Sequence, residues 1–144
     1  MTGNAQCRLI LSIATILFLG FMPARAQQAP DPHQVPVMDG EAGPCSVSFI
    51  VTDVKGTPVY DARIKVHIAY GFAGVRRLDL EAATNVDGKT EIKGLPKKVK
   101  GEVLYFNAMQ GNLRGTYTYD PVTSCDSGKG TIILTESATS PAAQ

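Results

Sequence analysis

Residues 84–96 read TNVDGKTEIKGLP, and Asn85, Asp87 and Gly88 in that run have the types and spacing of half a calcium loop. An EF-hand-type loop places oxygen ligands at positions 1, 3, 5 and 12, with Gly at 6. With Gly88 at position 6, Asp87 and Asn85 fall at 5 and 3, but Ala83 and Gly94 fall at 1 and 12. Two carboxylates that would carry the cation are therefore missing, the bidentate one among them. The same residues describe a tight turn, because Asp-Gly between two alternating runs is a strong hairpin signal and Gly adopts positive φ without steric cost. The turn is the better reading.

The other reactive side chains are sparse. The chain has two histidines. His33 lies in a proline-rich stretch, and His67 shares a strand's polar face with the cations Arg63 and Lys65. A zinc or copper site needs three or four clustered nitrogen, sulfur or carboxylate ligands, so His67 reads as a solvated side chain and no metal or other cofactor is expected. Asp79 and Glu81 alternate along one strand face and read as surface charge. No Gly-x-Ser-x-Gly elbow occurs, and no helix follows Gly71–Gly74 to make a phosphate cradle. No catalytic residue is expected. Tyr105, Tyr117 and Tyr119 are the candidate binding residues: tyrosines on a sheet face can stack on sugars or fill a protein interface.

Two cysteines, Cys45 and Cys125, follow an N-terminal stretch that reads as a secretory signal over 1–26. Arg8 precedes the apolar run LILSIATILFLGFM, and Ala24 and Ala26 supply the small-x-small end. That run is short for a membrane span, which takes roughly 20 residues, so no stable span is expected in the exported chain, whose location would be periplasmic or extracellular. Cys7 lies before the apolar run and would leave with it. An even pair of cysteines in an oxidising compartment reads as a Cys45–Cys125 disulfide. With Arg8 and Arg25 removed, 12 Lys and Arg face 13 Asp and Glu, a net charge of −1. This balance gives no general pull toward nucleic acid or anionic membrane, and Lys97, Lys98 and Lys100 read as a solvated basic loop.

The elements that must position these groups have a period of two. Residues 27–44 form a leader rich in proline and read as disordered or extended; residues 137–144 form a polar tail. Between them, over 45–136, Val47, Phe49 and Val51 share a face. Ala62, Ile64, Val66, Ile68 and Tyr70 alternate with Arg63, Lys65 and His67, and Leu78, Leu80 and Ala82 alternate with Arg77, Asp79 and Glu81. Shorter runs surround Ile92, Leu104–Met109, Leu113–Tyr119 and Thr131–Glu136. Gly- and Asp-rich turns separate them. This predicts an all-β domain, a seven-stranded antiparallel β-sandwich with one disulfide. Its exposed edges could accept a strand, and the leader could lie across one of them.

The blocks VTDVKGTPVYDARIKV, ATNVDGKTEIKGLP and GEVLYFNAMQG, over roughly residues 47–111, resemble the carboxypeptidase regulatory-like domain, a prealbumin-like sandwich. The matching positions are Gly56, Pro58, Val59, Ala62, Asp87, Gly88, Gly94, Leu95 and Pro96. The resemblance implies an immunoglobulin-like or prealbumin-like sandwich that acts as a spacer, accessory or binding module. Catalytic relatives of such a fold differ: transthyretin-like hydrolases use a histidine cluster, and intradiol dioxygenases place two His and two Tyr on iron. The expectation is thus an exported non-enzymatic module at the cell envelope, with a protein or glycan as partner. The alternatives are a carbohydrate-binding module using the tyrosines, or a small secreted metal enzyme or hydrolase. The turn reading has a direct check: millimolar calcium is expected to leave the melting temperature unchanged, and a rise of several degrees would restore the metal.

Overall fold

The structure, a computed structural model, describes residues 29–126 and 128–137. The signal segment expected over 1–26, and nearly all of the tail expected over 137–144, lie outside the described residues. The fold is all-β. Eight strands follow in order: β1 Val37–Asp39, β2 Cys45–Asp53, β3 Arg63–Tyr70, β4 Arg76–Ala83, β5 Lys89–Leu95, β6 Leu104–Gln110, β7 Leu113–Tyr119 and β8 Gly128–Glu136. A single 3₁₀ turn, Phe72–Gly74, joins β3 to β4. Among the described residues no helix is long and apolar enough to cross a membrane.

The strands form one sheet in the order β1-β5-β2-β8-β7-β6-β3-β4. It curls until its end strands, β1 and β4, pack against each other. This corrects the seven-stranded antiparallel sandwich: among the described residues there are eight strands, nearly closed into a barrel, and two of the pairings, β1 with β5 and β2 with β8, are parallel. The two layers of the expected sandwich survive as the two halves of the curled sheet. They join where β7 meets β8 through only Leu113↔Glu136 and Arg114↔Thr135.

Alternation decides what goes inside. Val47, Phe49, Val51, Ile64, Val66, Ile68, Ile92, Phe106, Ile132 and Leu134 are all buried, while Arg63, Lys65 and His67 between them are exposed. At the centre, Phe49 meets Phe106 at 4.8 Å between ring centroids and Tyr117 edge-on at 5.6 Å, and Phe106 meets Tyr119 at 6.2 Å. Such pairs add to the area they bury. The rings lie over β8 because Gly130 has no side chain: a Cβ there would come within 2.9 Å of Phe49 and 3.0 Å of Tyr117.

Of the disordered and extended states expected for the leader over 27–44, the described part takes the extended one at β1 and lies along an edge of the sheet. Its β1 runs parallel to β5 with Val37↔Glu91, Met38↔Ile92 and Asp39↔Lys93. The opening stretch holds it there. Asn85 is buried, and its Oδ1 accepts from the amides of Asp87 (3.0 Å) and Lys89 (2.8 Å), while its Nδ2 donates to the His33 carbonyl (2.8 Å). Thr90 Oγ1 donates to the Pro36 carbonyl at 3.1 Å. Asp87 turns its carboxylate to His33 Nδ1 at 3.1 Å. The residues that imitate a calcium loop are therefore a turn that fastens the leader.

Cys45 and Cys125 form a disulfide with a Cα–Cα distance of 4.4 Å. Cys45 opens β2, and Cys125 lies just before β8, its hydrogen-bonded neighbour; the Ser46 amide also donates to the Cys125 carbonyl at 3.1 Å. The bridge spans 80 residues of sequence. Closing a loop of that length removes denatured-state entropy worth on the order of 4–5 kcal/mol.

Two variants test this framework. Gly88 has φ 70°, its carbonyl accepts from the Val51 amide, and a Cβ on it would lie 2.4 Å from the Val51 carbonyl oxygen. Gly88→Ala is expected to cost about 2 kcal/mol or more, read as a fall of roughly 10 °C in thermal melting. Replacing both Cys45 and Cys125 by Ser is expected to lower the urea midpoint in line with that chain-entropy estimate, with the slope of the transition raised as the denatured chain expands.

Candidate functional site

The β3–β4 hairpin carries charge on its outer face because its two strands alternate in phase. The register pairs Arg63↔Ala83, Lys65↔Glu81, His67↔Asp79 and Ala69↔Arg77. The cationic row of β3 therefore faces the acidic row of β4. Glu81 takes Arg63 Nη1 on one oxygen at 2.9 Å and Lys65 Nζ on the other at 3.0 Å. The hydrogen bond from Arg63, then that from Lys65, holds the Glu81 carboxyl below its ordinary range, and Glu81 in turn raises Arg63. With the folded-state value depressed, this pairing contributes to stability above the usual carboxylate range and is lost as pH falls through that depressed value. Both groups face solvent, so the pairing orders the face more than it stabilises the fold.

Beside this clamp His67 Nδ1 meets Asp79 Oδ1 at 2.5 Å, and Arg77 Nη1 stands 3.4 Å from His67 Nε2. The pattern suits one neutral tautomer: Nδ1–H donates to Asp79, and Nε2 keeps its lone pair toward Arg77. Lys65, His67, Asp79, Glu81 and Asn107 of β6 line a shallow cleft of about 400 Å³ on this face. Asn107 is held there by register with Lys65 on one side and Thr116 on the other, whose hydroxyl donates to Asn107 Oδ1 at 3.3 Å. A base with an oriented imidazole, a cation at its free nitrogen and an amide nearby can take a proton from a bound molecule and hold the anion that results.

The expected binding residues do not assemble. Tyr119 is buried, its hydroxyl donating to the Ser124 carbonyl at 2.9 Å and the Ser46 carbonyl at 3.3 Å. Burial pushes its ionisation above the ordinary phenol value. Tyr117 packs on the core edge and donates to the Lys129 carbonyl at 3.0 Å. Only Tyr105, 59% exposed, stands on the outer face. The three tyrosines thus lie on opposite sides of the sheet and make no common platform. The two histidines are likewise apart, His33 on Asp87 and His67 on Asp79. Among the described residues no group of three or more His, Cys, Asp or Glu is placed to hold a metal ion.

Reading the residues singly missed the His67–Asp79–Arg77 cluster. The signal was present: a hairpin centred on Gly71–Gly74 pairs positions equidistant from Ala73, which sets His67 opposite Asp79.

No family model and no curated protein matches this chain. Among solved structures it is similar to hydroxyquinol 1,2-dioxygenase from Pseudomonas putida (11% identity, 73% of this chain and 63% of that one, TM-score 0.46). It is similar also to a variant of catechol 1,2-dioxygenase from Acinetobacter radioresistens (12% identity, 78% and 62%, TM-score 0.47). A third is 3-chlorocatechol 1,2-dioxygenase from Rhodococcus opacus (13% identity, 74% and 65%, TM-score 0.47). The chain spans less than two thirds of the length of each. All three neighbours are enzymes, contrary to the expectation of a non-enzymatic module. At TM-scores below 0.5 these likenesses transfer no substrate, cofactor or mechanism to this chain.

Proposed function

We propose that the protein works through the outer face of β3, β4 and β6, where it binds a small anionic molecule and moves a proton through His67. The observation that carries this reading is the placement of His67 between Asp79 and Arg77. Asp79 holds Nδ1 at 2.5 Å, which directs the lone pair of Nε2 to the side where Arg77 stands at 3.4 Å. A ligand whose carboxylate draws the Arg77 guanidinium off Nε2 frees the base and pairs with the cation together. Its proton passes to Nε2, the resulting anion pairs with the Arg77 guanidinium, and Asp79 stabilises the imidazolium. Lys65 and Arg63 are tied to Glu81, so they set the charge of the cleft without competing for His67.

Export belongs to the same proposal. Its support is the Cys45–Cys125 bridge, since such bonds persist in oxidising compartments, together with the signal-like residues 1–26. The likeness to the carboxypeptidase regulatory-like domain rests on sequence motifs and remains part of this proposal, with Gly88 in the turn before β5 and Leu95-Pro96 at its end.

The test uses pyruvate, an enolisable carboxylate, in D₂O. Exchange of its methyl protons is expected to run at least about a hundredfold faster with the wild-type chain than with His67→Gln, the lower range of general-base catalysis. Arg77→Gln is expected to weaken binding of pyruvate, and Lys129→Gln to change neither. Equal exchange with wild type and His67→Gln, together with imidazole ¹⁵N signals of His67 that ignore pyruvate, lactate and phosphate alike, would remove the proposal.

A further inference from the structure

The tip of the β3–β4 hairpin carries the most exposed aromatic ring among the described residues. Phe72 is 93% exposed and Val75 73% exposed. The exposure is built in rather than frayed. Ala73 sits at φ 53° in the left-handed region, between Gly71 at 78° and Gly74 at 69°. The turn is closed by the Gly74 amide donating to the Gly71 carbonyl at 3.1 Å and the Val75 amide to the Phe72 carbonyl at 3.3 Å. A non-glycine residue in that region costs conformational energy, and what it achieves here is to turn Phe72 away from the core.

A second loop rises beside the tip. Val99 bridges to Tyr70, and the Lys100 amide donates to the Ala69 carbonyl at 2.8 Å. This brings Lys98 and Lys100 over Gly71, Ala73 and Gly74, leaving a notch of about 280 Å³ between the loops. Arg76, Lys97, Lys98 and Lys100 have no ion-pair partner among the described residues. Neither 70–78 nor 96–101 contains an acid, and Glu102 is the nearest one in sequence on the second loop.

We infer that these two loops dock the protein on an anionic lipid surface, with Phe72 and Val75 entering the acyl boundary and Lys98 and Lys100 taking lipid phosphates at the notch. Shape and charge together select this partner. The apolar apex is convex, so it fits a yielding interface better than a preformed protein groove. Three of its four unpaired cations are lysines, point charges on long stems that can spread over a diffuse anionic layer while their methylenes lie beside the ring. Amphipathic anchors of this kind combine an apolar wedge with cations at the headgroup level. The near-neutral charge of the whole chain masks this local asymmetry.

Each lysine near such a surface is worth roughly fivefold in affinity. The test uses the chain as recovered after export, with vesicles of phosphatidylcholine alone or mixed with phosphatidylglycerol. The chain has no tryptophan, so Phe72→Trp introduces a single indole at the apex. Its emission is expected to shift to the blue, and to be quenched by acyl-brominated lipid, only when phosphatidylglycerol is present. Phe72→Asp is expected to reduce cosedimentation at least about tenfold, and Lys98→Glu with Lys100→Glu to do the same. All these positions face solvent, so unchanged melting temperatures confirm that folding is intact. An indole indifferent to vesicles, equal binding by wild type and Phe72→Asp, or capture by polyglutamate without binding to lipid would each overturn the inference.

Discussion

Phe49 and Tyr117 lie where a side chain on Gly130 would have to be. This close approach of rings to the β8 backbone is the constraint on which the rest of the structure depends. β8 pairs in parallel with β2 on one side and antiparallel with β7 on the other, so it alone carries the sheet from one half of the curl to the other. The β7–β8 ladder is short, and the tilted and edge-to-face rings of Phe49, Phe106, Tyr117 and Tyr119 supply the cohesion that those few hydrogen bonds do not. The disulfide acts at the other end of β8, tying the start of β2 to the approach of β8 with both cysteines buried in the core. Pairing and covalent closure therefore hold the same strand, β8, from its two ends.

Much of this was legible because a half-buried strand writes its own period. The runs containing Phe49, Ile64, Leu80, Ile92, Phe106 and Ile132 all became strands, with those residues inside. The alternation of Tyr117 and Tyr119 was also readable, but not which side of the sheet would be the inner one, since tyrosine suits either. Burial of Tyr119 is tolerated because its hydroxyl finds two carbonyls, and no local pattern announces partners so distant in sequence as Ser46.

The pairing and register of β1 were hidden for a different reason, although the sequence allowed the leader to lie across a sheet edge. Its three residues show no alternation, all are exposed, and prolines surround them. Composition of that kind reads as disorder because it offers no core of its own. What orders the segment is polar: Asn85 and Thr90 reach out from buried positions to carbonyls of His33 and Pro36. Leaving a buried Asn or Thr without partners is costly, so β5 needs the leader as much as the leader needs β5. The parallel edge so formed also covers backbone groups that would otherwise invite another chain.

The charged hairpin face shows how a surface can be read two ways until register is known. Arg63, Lys65 and His67 taken alone are a cationic row, and Asp79 and Glu81 taken alone are two solvated acids. Set opposite each other they divide into unlike sets. Glu81 takes both Arg63 and Lys65, an arrangement that guards a terminal strand pair with balanced charge. His67 is left with one acid at one nitrogen and one cation at the other, a polarised arrangement that strand pairing by itself does not require. The inner face of the same hairpin, Ile64, Val66 and Ile68, is closed off from solvent, so the outer face is free to bear such groups without disturbing the core. A period of two thus separates the residues that make the fold from those that give the face its chemistry, and the hairpin turn at Ala73, by setting the register, decides which of the latter meet.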